Sequence, residues 1–227
     1  MNLMAVVIYN NRGGIQNKLE EQLTAEKIPL LSFTIHPFSW RLRTIATMEI
    51  ASRYPDHTLI FLDAWDTLFP GNREELELLP NDEGVTFAAQ KFCWPDDTRQ
   101  AEYEAFQPKD IGPWRYINSN PMAGRGEEIW AALKWGWQQW PIKTNTNSTV
   151  EYDVDERFLT HLYLSEGRDK FNIKLDTKCE LNHTFLASVP GDLYLNEGRI
   201  INLIHGTFPQ FFHANGRSDI PGGLLCD

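Results

Sequence analysis

Apolar and polar positions fall along this chain in blocks whose period changes. Met4 to Tyr9 is a continuous apolar, β-branched run, the pattern of a buried strand. Asn10-Asn11-Arg12-Gly13-Gly14 breaks it as a turn. Ile15 to Lys27 is polar with apolar residues at 15, 19 and 23, which is surface-helix spacing. Leu30 to Ile35 reads as a second strand. Ser39 is placed to cap a helix running to Tyr54, with Trp40, Ile45, Met48 and Ala51 as its apolar face. The strongest run, Leu59 to Leu62, ends in Asp63-Ala64-Trp65-Asp66, with Pro55 before it and Pro70-Gly71 after. Strand, helix, strand, helix, strand implies a parallel sheet.

Further along, Asn72 to Leu79 predicts a short helix and Val85 to Ala89 another strand. Residues 94–115 are rich in Pro, Gly and charge and read as a long loop near the site. Glu127 to Trp140 predicts a helix burying Ile129, Trp130, Leu133 and Trp137. Lys143 to Thr149 is rich in Asn and Thr and reads as mobile. Asp153-Val154-Asp155-Glu156 opens a helix to about Leu164, since acids suit a helix N-terminus. Phe171 to Leu175 is a late strand, and the tail carries His205 and then His213-Ala214-Asn215-Gly216. There is no repeat and no dividing linker. The expectation is one α/β domain over 1–227, with a nucleotide-binding half to about residue 90 and an acceptor-binding, metal-completing half from about 91.

Composition narrows the partners. A net charge of −10 argues against a broad electrostatic grip on nucleic acid, leaving one local basic strip, Arg168, Lys170, Lys174 and Lys178. Cys93, Cys179 and Cys226 are too widely spaced for a disulfide framework or a zinc site. Met1 to Ala5 lacks a basic leader and reads as the first strand; with no apolar stretch of about 20 residues, a cytoplasmic protein without a membrane segment is expected. Eight Trp is many for this length, so some are expected to line a pocket.

The chemistry concentrates at Asp63 and Asp66. At the carboxyl end of a parallel strand, side chains face the ligand crevice. Two carboxylates on one tight turn make a seat for a hard divalent cation; the other reading is a turn and a loop cap. The turn at 10–14 could cradle a nucleotide, though it is not GxGxxG. The run also has the outline of an aspartyl-phosphate phosphatase, but two residues separate the acids where that chemistry needs one.

The order of short motifs resembles the glycosyltransferase domain of procollagen lysyl hydroxylases, a GT-A type, Rossmann-like fold with a mixed, mostly parallel sheet flanked by helices. The residues that carry the likeness run from about 58 to 218. They are Phe61-Leu62-Asp63-Ala64-Trp65-Asp66, Phe87-Ala88-Ala89, Phe92-Cys93-Trp94-Pro95, Tyr116-Ile117-Asn118-Ser119, Asp155-Glu156-Arg157-Phe158, Ile173-Lys174-Leu175-Asp176 with Cys179, and His213-Ala214-Asn215-Gly216. Asn120-Pro121 departs from the family's Gly-Gly, Val154 from an acid, Glu156 from a Gln and Ala214 from a Gly.

The resemblance implies transfer from a UDP-sugar, with Asp63, Asp66 and His213 holding manganese, or magnesium, against the diphosphate. Asp155 and Glu156 are the catalytic candidates, Asp155 as a ligand of sugar hydroxyls or as the base, with a helix N-cap as its other reading. Tyr9, Asn10, Trp65, Trp94, Asn118, Asn215 and Gly216 would line the donor. Arg41 and Arg43 could reach phosphates, but a solvated helix face is the stronger reading. A non-catalytic sugar-nucleotide or glycan binder is the alternative. The acceptor is a hydroxyl, and the likeness to stand-alone, phage-like transferases favours a hydroxymethylated pyrimidine base in DNA over protein hydroxylysine or a glycan. Trp94, Trp114 and the 96–115 loop would hold such a base outside the stack. The sequence carries no signal for the donor sugar, the stereochemical course or the oligomeric state.

Overall fold

The computed structural model describes residues 2–10, 18–78, 83–141, 154–189, 191–196 and 199–215. The predicted mobile segment Lys143 to Thr149 lies outside the described residues. So do Gly216 and Cys226.

A six-stranded sheet carries the fold. Its strands are β1 (Leu3–Asn10), β2 (Leu30–Ile35), β3 (Thr58–Asp63), β5 (Val85–Gln90), β6 (Tyr116–Arg125) and β7 (Ile173–Asp176), in the order β2-β1-β3-β6-β5-β7. Strands β2, β1 and β3 pair in parallel, as do β5 and β7; only β6 runs antiparallel to both its neighbours. The mixed, mostly parallel α/β sheet expected from the sequence is therefore present. Three short strands make a second sheet beside it: β4 (Thr67–Leu68), β8 (Asn182–Thr184) and β11 (Phe211–His213), in the order β4-β11-β8. The last pair, β9 (Leu193–Asn196) and β10 (Arg199–Asn202), forms a hairpin.

Strand β1 shows why both faces are apolar. Met4, Val6 and Ile8 enter one core, and Leu3, Ala5 and Val7 the other. Side chains alternate across a strand, so a continuous apolar run serves a sheet covered on both sides. The first core is roofed by α2 (Trp40–Arg53), α5 (Gly126–Gln139) and α6 (Asp155–Tyr163), and the second by α1 (Lys18–Ala25) and α3 (Arg73–Leu78). Each fully buried Leu, Ile, Val or Phe contributes about 1.5–3 kcal/mol. No helix among the described residues is long and apolar enough to cross a membrane.

Two expectations change, and β6 adds a feature that the sequence reading did not predict. Ser39 does cap α2, its side chain accepting from the Leu42 N–H, but the buried face is Arg43, Thr44, Thr47 and Ala51. Ile45 and Met48 are only half-buried. The small residues let α5 approach closely: a Cβ on Gly126 would lie 2.1 Å from the Tyr54 carbonyl and 2.7 Å from that of Ala51. Residues 94–115 are not one loop. They hold a 3₁₀ turn, Asp97–Arg99, and α4 (Gln100–Phe106), whose Tyr103 is fully buried against Tyr116 and Tyr163. Finally, Asn120-Pro121 lies within β6. Phe87 pairs with Met122 while Ala88 pairs with Asn118, so residues 119–121 bulge from the ladder. Proline has no N–H to give a ladder, and a bulge is where a strand accommodates it. A short helix, α7 (Gly167–Lys170), precedes β7.

Candidate active site

Strand β3 ends at Asp63, the chain bends through residues 64–66, and β4 crosses into the small sheet. Thr67 pairs with His213 across β4 and β11, and the Ala214 N–H donates to the Asp66 carbonyl at 2.8 Å. One turn and one cross-strand pair thus bring together residues 147 positions apart in the chain. His213 Nε2 lies 3.5 Å from Asp66 Oδ2 and 3.9 Å from Asp63 Oδ2. One ligand atom from each of the three side chains falls within 4.8 Å of the others.

Buried amides fix the orientation of the imidazole. The Asn120 N–H donates to Asn118 Oδ1 at 3.1 Å, so that oxygen is an acceptor, and His213 Nδ1 sits 3.2 Å from it. Nδ1 of His213 therefore carries a proton, and Nε2 is the atom that faces the carboxylates, offering a lone pair when the imidazole is neutral. Asn118 Nδ2 donates to Gln90 Oε1 at 3.1 Å, which also accepts from Asn215 Nδ2 at 2.8 Å. Asn120 Oδ1 accepts from the Asp63 N–H and its Nδ2 donates to Thr67 Oγ1, both at 2.8 Å. The β6 bulge places Asn118 and Asn120 where they can do this.

Beside the triad, Arg43 reaches in from α2. Its Nη2 donates to Asp63 Oδ1 at 2.7 Å, and its Nη1 to Ser119 Oγ at 3.0 Å and to Asp155 Oδ2. Arg43 is 4% exposed and Asp155 3%. The expectation of a solvated Arg43 is overturned: it is a buried counter-ion. Glu156 is half-buried and its Oε1 lies 3.4 Å from Asn118 Nδ2. Burial, and then the neighbouring Asp155, push its carboxyl well above the usual range. Burial likewise raises Asp63 despite Arg43. Burial alone would lower His213, but the Asp66 and Asp63 carboxylates outweigh it and the imidazole stands above its ordinary pKa. Asp66 is held low against burial by His213. Asp63, Asp66, Asp155 and Glu156 thus face a single guanidinium and an imidazole whose free lone pair points at two of the acids. A proton on Nε2 answers that arrangement in part. A divalent cation answers it more fully, and two carboxylates with one imidazole suit manganese better than magnesium.

The remaining predicted residues divide. Tyr9 and Trp65, at the ends of β1 and β3, are half-buried and pack edge to face with ring centroids 5.4 Å apart. Asn215 joins the amide frame and accepts the Leu186 N–H at 3.0 Å. Asn10 ends β1. Trp94 is 52% exposed and Phe92 54%, on the segment leaving β5. That segment is clamped to α6 by Asp96, which takes two hydrogen bonds from Arg157 at 2.8 and 3.0 Å. Trp114 is not an exposed platform. It is fully buried, with Lys91 Nζ 4.4 Å from its ring centre and the His183 ring at 5.0 Å, and Lys91 also pairs with Asp192. In the basic strip, Arg168 is paired with Asp169 and lies over Phe106, and Lys170 lies over Trp135. Asp176 ends β7 and accepts the N–H groups of Glu180, Leu181 and Asn182, forming the turn that launches β8.

Gln90, Ser119, Asn120 and Thr67 had no site role in the sequence reading, and Arg43 was placed on the solvated face. The one sequence signal for Arg43 was its company: Thr44, Thr47 and Ala51 make a small-residue helix face that must meet another element closely. An Arg on that face is buried and needs partners.

A family profile described as the PLOD GT domain matches residues 41–221. An uncharacterized protein of Acanthamoeba polyphaga mimivirus is 26% identical over 162 residues, covering 70% of this chain and 31% of that protein. The procollagen-lysine,2-oxoglutarate 5-dioxygenase of Drosophila melanogaster is 25% identical over 174 residues, covering 73% of this chain and 22% of that protein. The multifunctional procollagen lysine hydroxylase and glycosyltransferase of Caenorhabditis elegans is 28% identical over 175 residues, covering 72% and 22%. The chain spans less than a third of the length of each.

Proposed function

The chain belongs to the PLOD GT domain family, a glycosyltransferase domain, and from that premise we propose that it moves a hexose from a UDP-sugar to a hydroxyl group with a divalent metal at Asp63, Asp66 and His213. The observation that carries this reading is the convergence of the two carboxylates and the lone pair of His213 within 4.8 Å, with the tautomer set by Asn118. Manganese bound there would neutralise charge on the departing diphosphate.

The chain's own residues would do the rest. Trp65 and Tyr9 offer aromatic surface beside the acids for the nucleotide base, with Asn10, Asn215 and Gly216 nearby in sequence to the elements that frame it. The acceptor hydroxyl forms the new C–O bond at the anomeric carbon, the bond from that carbon to the diphosphate oxygen breaks, and the hydroxyl proton passes to a base. Glu156 is the residue proposed for that proton: burial and the neighbouring Asp155 raise its carboxyl pKa, which makes it a stronger base than an ordinary carboxylate. Asp155 supports it from the buried side through Arg43. The division into a nucleotide half to about residue 90 and an acceptor half beyond it belongs to the same proposal.

For the acceptor we place a hydroxymethylated pyrimidine base in DNA first. Exposed Trp94 and Phe92, on a segment clamped to the Glu156 helix, supply aromatic surface for an unstacked base. Encoding by a phage-like genome and action in a cytoplasm go with this reading, with the mimivirus relative as support. A hydroxylysine acceptor is the second reading, supported by the names of the fly and nematode relatives. The test is incubation with UDP-glucose or UDP-galactose, manganese, and either hydroxymethylated DNA or a hydroxylysine peptide, followed by mass spectrometry. A hexose adduct on the nucleoside is expected. Transfer to the peptide alone would move the acceptor to protein, and no turnover of any nucleotide sugar would contradict the enzyme.

A further inference from the structure

The two acids that touch Arg43 come from opposite sides of the site. Asp63 belongs to the metal-binding turn after β3, and Asp155 opens the helix that carries Glu156. One guanidinium bridges them, and Ser119 on the β6 bulge takes a further hydrogen bond from the Nη1 that meets Asp155. The bridge divides Asp63 in two: Oδ1 is held by Arg43 at 2.7 Å, while Oδ2 is the oxygen 3.9 Å from His213 Nε2. The carboxylate thus has one oxygen committed and one turned toward the metal.

The bridge also has slack. Arg43 Nε and Asp155 Oδ1 are buried without a hydrogen-bond partner. Arg43 and Asp155 line a cavity with Thr47, Ser119, Phe61 and Leu133 that has room for about one water molecule. Fully locked, a guanidinium would use all five N–H groups. Here it is shared, with space to lean toward either acid.

We propose that Arg43 is a positioning residue that couples the metal centre to helix α6: Asp155 draws the guanidinium partly off Asp63, and this keeps Asp63 Oδ2 free and oriented for the cation. The inference rests on the proposed metal site. It makes a directional statement about a residue that does not face the triad. Neutralising Asp155 lets Arg43 settle wholly on Asp63, where it competes with the cation. Manganese binding should weaken although no metal ligand has changed. Without a bridging guanidinium that route is closed, and only the through-space loss of one negative charge remains.

The experiment is a double-mutant cycle read as the manganese dissociation constant of the folded protein, obtained from free Mn2+ by electron paramagnetic resonance. Asp155→Asn in the Arg43 background should raise the constant by about tenfold. In an Arg43→Met background the same change should raise it by about threefold at most. Arg43→Lys serves as a second background: it keeps a charge but cannot fork between two carboxylates, and it guards against the Met variant failing to fold. Equal factors in all backgrounds would overturn the coupling while leaving the metal site intact. If the unaltered protein binds no manganese, the proposed function fails instead.

Discussion

The six-stranded sheet delivers Asp63 on a strand whose first five residues are all buried, with apolar cores on both faces. The three-stranded sheet delivers His213 on a strand of three residues whose Phe211 and Phe212 are buried in apolar clusters, and to that packing it adds a set of directional polar anchors. Asp176 gathers three backbone N–H groups at its edge. Gln210 Nε2 donates to Glu75 while its Oε1 accepts the Asn72 N–H. Thr184 Oγ1 donates to the Ala89 carbonyl, tying the small sheet to the large one at 3.0 Å. Apolar packing resists displacement through many weak contacts and tolerates repacking. Polar anchors are few and directional, so losing one moves what it holds. The two sides of the site should therefore fail differently.

The largest effect short of removing a metal ligand should come from chemistry on the helix side. Glu156→Gln is expected to lower turnover by about 10²-fold, the scale of one acid–base contribution, while UDP affinity with manganese stays within about twofold. Steady-state rates beside calorimetric titration would check this, and unchanged turnover would remove Glu156 as the base. Next comes the polar frame. Asn118→Leu frees the His213 tautomer and should weaken manganese binding by about 10–100-fold, as loss of an outer hydrogen-bond partner does, with a small change in melting temperature. A metal titration that matched the unaltered protein would show that the frame does not orient the ring.

The core side should show the reverse. Leu62→Ala, fully buried in β3, is expected to cost about 2–5 kcal/mol of stability with manganese affinity of the folded fraction unchanged. Denaturant unfolding and metal titration on one sample would separate the two.

These contrasts follow what the sequence could show. Asp63 and Asp66 were legible because strand, turn and both acids lie within nine residues, where local pattern decides. His213 was reached only by resemblance, since its pairing with Thr67 depends on how a second sheet docks. Arg43 was misread as solvated because its partners lie 20 and 112 positions away, and helix periodicity says which residues share a face but not what that face meets. Trp114 was misread for a related reason. A Trp in a Pro- and Gly-rich stretch looks exposed until Lys91, His183 and Asp192 are seen closing over it.

The smallest effect on the centre should come from His183, fully buried in β8. Asn202 Oδ1 accepts the Ile204 and His205 N–H groups, so its Nδ2 faces His183 Nδ1, and His183 Nε2 donates to Ser188. Burial pushes the ring down to about 3, below its unfolded value of about 6.5. A base depressed by folding contributes stability that is present above pH 6.5 and lost as pH falls toward 3. Between pH 7.5 and 4.5 the unaltered protein should lose about 2–3 kcal/mol more than His183→Gln. Parallel unfolding curves across that range would contradict it.

The central claim is that the turn after β3 and the end of β11 form one metal-dependent nucleotide site. The most direct measurement is the thermal shift produced by UDP with and without manganese, in the unaltered protein and in Asp66→Ala. Asp66 is the most exposed of the three ligands and lies outside the cores, so its loss should leave the unliganded melting temperature nearly unchanged. Stabilisation by UDP should require manganese and disappear in the variant. Equal stabilisation of both proteins, or stabilisation by UDP indifferent to manganese, would contradict it.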